Sequence, residues 1–153
     1  MRRVSIFLVF ALAASAAFGA DNSLGTWKLN TDRSKTSSSQ LPIKSLTTIR
    51  EASDGGVKVT NTGERADGTP VNSTYTAKYD GTDSTVTGAP WDMISIKRVN
   101  DNTFTITVKQ SSGKYNATGR TVISKDGKTM TTTTKGIDAD GKPFTTTLVY
   151  EKQ

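Results

Sequence analysis

The chemistry open to this chain is bounded first by two missing residue types. The sequence contains no histidine and no cysteine, which rules out an imidazole base, a thiolate nucleophile and the usual side-chain ligands of zinc and haem. Carboxylates, hydroxyls and cationic groups remain. Asp138 and Asp140 have the alternate spacing of a calcium loop, but Asp138-Ala139-Asp140-Gly141-Lys142 offers no further ligand and falls where a hairpin turn is expected. Glu51 and Glu64 have no visible partner for acid–base work, and Gly55-Gly56 belongs to a turn, not to a phosphate loop. The expectation is a protein that is not an enzyme and that carries no metal or other cofactor.

Binding is the chemistry that the remaining residues suit. Val71, Tyr75 and Tyr79 share one strand face, as do Ile94, Ile96 and Arg98, and Phe104, Ile106 and Val108 make a third set. Tyr115 and Tyr150 add hydroxyls that can hydrogen-bond a ligand from an otherwise apolar wall. The candidate ligand-binding residues are therefore Tyr75, Tyr79, Ile94, Ile96, Arg98, Phe104, Ile106, Tyr115 and Tyr150. Arg98 is the sharpest of them, because an inward arginine beside Ile96 needs an anion to offset its desolvation. The competing readings are bulk water for Arg98, which is near a strand end, and plain core packing for the aromatic set; Trp27 is expected to be structural.

These residues sit on strands. Leu24, Thr26 and Lys28 alternate with Gly25, Trp27 and Leu29, and after a polar stretch from Asn30 to Gln40 the pattern resumes at Ser45 and continues to Glu51. Asp54-Gly55, Asp67-Gly68 and Asp80-Gly81 recur every 13 residues, the spacing of a strand of about seven residues plus a tight turn. Val57 to Asn61 and Val71 to Tyr79 fill the intervals. An irregular passage at Gly88-Ala89-Pro90-Trp91 precedes strands at Asp92–Val99, Thr103–Lys109, Tyr115–Ser124, Thr129–Lys135 and Phe144–Glu151. No apolar stripe of helical period runs for three turns. An all-β, antiparallel up-and-down meander of about ten strands hides its edges most directly by closing into a barrel.

Residues 1–20 read as a secretory signal peptide, with Arg2 and Arg3, the apolar run Ile6 to Leu12, and small residues toward Ala20; cleavage after Ala17, Gly19 or Ala20 is compatible with them. The apolar run is too short to span a membrane. Residues 21–153 are one domain, expected to be periplasmic or secreted and monomeric. Arg2 and Arg3 are two of 20 basic residues, so the exported chain keeps 18 against 14 acidic ones, a net +4 scattered over turns. Such mild, dispersed charge predicts neither a nucleic-acid nor a membrane partner. An outer-membrane barrel would show a lipid-facing apolar band, where these strands carry Thr and Lys.

Gly25-Thr26-Trp27 at the start, a polar crossing segment, and a meander ending in Leu148-Val149-Tyr150-Glu151 resemble a small bacterial lipocalin-like (calycin) β-barrel over the whole exported chain. The resemblance implies that the tryptophan plugs the closed end of a cup and that the glycine lets another segment of backbone lie close against it. It also implies a small apolar or amphipathic ligand inside. The chain has no Thr-Asp-x-x-Tyr motif and no Arg-x-Tyr pair in its last strand, so no ligand type is carried over. The alternative expectation is a barrel filled by its own side chains that acts through its surface, as an interaction or envelope-structure module.

Overall fold

Successive side chains of an extended chain point to opposite faces, so runs of alternating apolar and polar residues bury one face and wet the other. The computed structural model describes residues 19–37 and 43–153, and every regular element among them is a strand. They are β1 (Gly25–Leu29), β2 (Lys35–Thr36), β3 (Ile43–Ser53), β4 (Gly56–Arg65), β5 (Pro70–Lys78), β6 (Asp80–Thr87), β7 (Met93–Asn100), β8 (Thr103–Lys109), β9 (Asn116–Ile123), β10 (Thr129–Ile137) and β11 (Pro143–Lys152). Residues 1–18, nearly all of the expected leader, lie outside the described residues, as do 38–42 near the end of the polar crossing segment.

From β3 to β11 each strand pairs antiparallel with the next. β1 closes the meander, pairing with β3 from Gly25↔Arg50 to Lys28↔Thr47 and with β11 from Trp27↔Lys152 to Leu29↔Tyr150. The fold is thus the expected barrel of ten antiparallel strands. The two-residue β2, read in the sequence as loop, continues the closing seam by pairing with Thr146 and Thr147 of β11.

Trp27 is fully buried, and its indole N–H donates to the Ser23 carbonyl at 2.8 Å. The Lys152 ammonium lies 5.1 Å from the ring centroid, over its face. Gly25 has φ +116°, and a side chain there would meet Lys152 Cε at 3.0 Å. A side chain, not the second backbone segment implied by the resemblance, is what approaches this glycine. Around Trp27 the core includes Val57, Val59, Ala77, Phe104, Ile123 and Met130.

Asp54-Gly55 and Asp67-Gly68 turn hairpins as expected, with Gly55 and Gly68 at positive φ. Asp80-Gly81 turns the third: the β5–β6 register, Thr74↔Thr87 and Tyr75↔Val86, centres the reversal between these two residues, and Gly81 is also at positive φ. The Asp80 carboxylate accepts the Thr82 amide at 2.9 Å and its hydroxyl at 2.7 Å, as Asp67 does for Thr69 in the preceding turn. Asp80 also pairs with Lys97 of β7, with a register shift before Asp83.

If Trp27 closes the barrel as described, Trp27→Ala removes a buried aromatic from a chain with no disulfide to compensate. The expected loss is about 3–5 kcal/mol, read as a lower urea midpoint by circular dichroism. A shift within experimental error would show that closure does not depend on this side chain.

Candidate functional site

The strand ends divide the barrel into two unlike ends. At one, residues 19–24 cross beneath β1 and the β3–β4, β7–β8 and β9–β10 turns gather; at the other lie the β4–β5, β6–β7, β8–β9 and β10–β11 connections. Between them the inward faces enclose a cavity of about 460 Å³, within the ~300–1,000 Å³ range of small-molecule sites. We call the first end the floor and the second the mouth.

Of the nine candidate residues, seven line this cavity: Tyr75, Ile94, Ile96, Phe104, Ile106, Tyr115 and Tyr150. Tyr79 and Arg98 do not. They sit at the floor, where they line a separate, more open cleft together with Asp21 and Leu24. The anion that Arg98 requires is the protein's own: Nη2 lies 3.4 Å from the Asp101 carboxylate and also donates to the Gly19 and Ala20 carbonyls at 3.1 and 3.3 Å. The Tyr79 hydroxyl donates to Asp21 Oδ2 at 2.6 Å. Asp138, weighed as a calcium ligand, accepts the backbone amides of Asp140 and Lys142 at 3.0 and 2.9 Å and so fastens the β10–β11 turn.

The floor of the cavity holds a residue that was not among the candidates. Arg50 follows Leu46 and Thr48 on the inward face of β3, is 8% exposed, and lines the cavity. Its Nη2 donates to Ser23 Oγ at 3.2 Å, and Ser23 Oγ in turn donates to Asp21 Oδ1 at 2.6 Å. Burial raises the Asp21 carboxyl, but hydrogen bonds from Ser23 and Tyr79, together with the Arg50 charge, outweigh burial and hold it below the ordinary carboxylate value. Burial pushes the Tyr75 phenol up, while Arg50's charge and hydrogen bond draw it partly back. Tyr150, hydrogen-bonded to Thr48, is pushed up mainly by burial, then by neighbouring Tyr75. Both phenols are therefore neutral at physiological pH.

The wall is mixed. Ile94, Ile96, Phe104, Ile106 and Val108 present an apolar surface on β7 and β8, while Thr121, Thr132, Thr134 and Thr146 place hydroxyls on β9 to β11. On β3 to β5, Thr48 donates to Asn61 at 2.7 Å, and Asn61 donates to Ser73 at 3.0 Å. That chain leaves the polar groups of this wall satisfied.

The mouth is shaped by the Gly88–Trp91 passage. Gly88 has φ +81°, and a side chain there would lie 1.9 Å from the Asn72 carbonyl oxygen, so only glycine lets this loop rest on β5. Asp92 ties the loop to the next one, accepting the Ser111 amide at 2.8 Å and the Ser111 hydroxyl. Trp91 is thereby stacked on Tyr115, with centroids 5.4 Å apart, and Tyr115 continues to Phe144 at 5.5 Å. Burial, with Asp138 nearby, pushes the Tyr115 phenol up to about 12. In the sequence the Trp91 passage is legible only as an irregular connection, and the signal of its role is an aromatic in a Gly-Pro loop between two strands. Arg50 was legible as the third inward position of Leu46-x-Thr48-x-Arg50.

No known family model matches the chain, and a search of the curated proteins finds no match.

The floor network makes a prediction about acid. Because the native Asp21 pKa is depressed, its ionised form contributes stability above about pH 4, and that contribution is lost as pH falls through the depressed value. Asp21→Asn is expected to lower stability at neutral pH, with the gap to the unmodified protein closing on acidification. Urea titrations at several pH values check this. Parallel loss in both proteins down to acid pH would remove Asp21 from the account.

Proposed function

We propose that this chain is an exported, lipocalin-like binding protein that carries a small apolar or amphipathic molecule inside its barrel. The observation that carries the reading is the cavity of about 460 Å³, walled on one side by Ile94, Ile96, Phe104, Ile106 and Val108 and rimmed by Trp91 and Tyr115. A barrel that acted only through its surface would have no use for such a space, since native interiors are otherwise packed with few voids larger than a water molecule. The outward positions carry Lys58, Thr76, Lys97, Thr105, Arg120 and Lys135, all exposed, which suits a water-facing wall and not a lipid-facing one. Export to the periplasm or medium rests on the leader composition of residues 1–20, and a monomer suffices because the cavity is built from one chain. No catalytic role is proposed, since the sequence supplies neither His nor Cys.

A neutral apolar fluorophore, N-phenyl-naphthylamine, provides the test. Saturable binding with a blue-shifted emission is expected, at about micromolar affinity. Ile106→Trp, which fills the cavity from one wall, is expected to weaken it by about tenfold or more while leaving a cooperative melting transition. Equal binding by a folded Ile106→Trp variant would move the probe to the outer surface and remove the support for an internal cargo.

A further inference from the structure

Among the described residues, two buried side-chain donors have no hydrogen-bond partner: Arg50 Nε and Trp91 Nε1. Both belong to residues that line the same cavity, one at its floor and the other at its mouth. A buried N–H left unpaired is costly, more so on a charged group. Arg50 is the more demanding of the two. None of the ion pairs formed by the described residues includes it, and Asp21 reaches it only through Ser23, with both carboxylate oxygens already held by Ser23 and Tyr79.

An all-hydrocarbon cargo fits this cavity poorly. It would exclude solvent from both donors and leave them unpaired, a loss of affinity that the apolar contacts must first overcome. The cargo that matches carries oxygen at both places. At the floor a single guanidinium, with an acidic residue behind it, suits one negative charge and not two, and the planar fork suits a carboxylate. The neutral Tyr75 phenol beside Arg50 adds a donor without adding charge. At the mouth the indole donates only, so its partner is an acceptor oxygen such as a hydroxyl or carbonyl.

Resting on the carrier reading above, we infer that the cargo is an oxygenated aliphatic monocarboxylate. Its carboxylate is bound by Arg50 at the floor, its chain lies along Ile96 and Ile106, and a second oxygen in the distal part of the chain accepts from Trp91 Nε1. The two orphan donors thus read the two ends of one molecule.

Displacement of N-phenyl-naphthylamine by chain-matched compounds tests this on the full-length exported protein. The compounds are dodecanol, dodecanoate and a set of dodecanoates hydroxylated at each position of the distal half. The wild type is expected to prefer dodecanoate to dodecanol by about tenfold or more, and at least one hydroxylated acid to plain dodecanoate by about fivefold. Arg50→Leu should abolish the first preference and keep the second; Trp91→Phe should do the reverse. Arg50→Lys, which keeps the charge but not the fork, stands in if the leucine variant does not fold, and should weaken the first preference. Absence of either preference in the wild type, or its persistence in the matching variant, overturns the inference while probe binding leaves the carrier reading intact. Failure of the probe and of every compound to bind overturns both.

Discussion

The hydrogen bond from the Trp27 indole to the Ser23 carbonyl is small in energy and large in consequence. β1 has five residues, yet it alone hydrogen-bonds to both β3 and β11 and so turns a meander into a closed barrel. Strand pairing of that length is marginal by itself. What fixes it is the burial of Trp27 and Leu29 on its inward face, with the preceding residues 21–24 folded beneath and bonded back to the strand they introduce. Without that anchorage β3 and β11 would each present an unpaired edge.

The same anchorage organises the polar interior. Ser23 is held under Trp27, accepts from Arg50 and donates to Asp21, so the segment that stoppers the barrel also positions the cation facing the cavity. Stability and site chemistry share residues here. A buried charge with incomplete hydrogen bonding detracts from folding, and the hydrogen-bonded Asp21, Ser23 and Tyr79 group offsets part of that penalty from the far side of the floor. The mouth is built differently, from a glycine seated on a neighbouring backbone and an aspartate that joins two loops, which leaves the aromatic stack of Trp91, Tyr115 and Phe144 as its inner lining.

Much of the fold was legible because alternation and turn chemistry agree along most of the chain. The strands from β7 to β11 fall within a few residues of where the sequence places them, and Trp27 is the buried plug that its Gly-x-Trp setting implied. Asp80-Gly81 is the turn its composition implies; what the sequence does not show is that Asp80 also pairs across to Lys97 of β7, with a register shift before Asp83. Arg98 and Arg50 are both inward arginines on alternating strands. Which of them faces the cavity depends on what crosses the floor, residues 19–23, and on Asp101 three positions beyond Arg98, and neither constraint is local to the strand pattern. Seven of the nine proposed lining residues could be found because apolar inward positions lie on any closed barrel's interior; the polar ones needed the register.

The thin contact between β5 and β6 makes this barrel uneven in its breathing. With pairing at two positions there against nine between β4 and β5, the shortest rung of the meander stands beside Tyr75, which lines the cavity. Regions with few ladder bonds open at lower free energy than the whole molecule. Amide protons flanking this seam are therefore expected to exchange ahead of those in β3, β4, β10 and β11. Parting of the two strands would give the interior a second, lateral route to solvent that leaves the Trp27 stopper and the aromatic mouth in place.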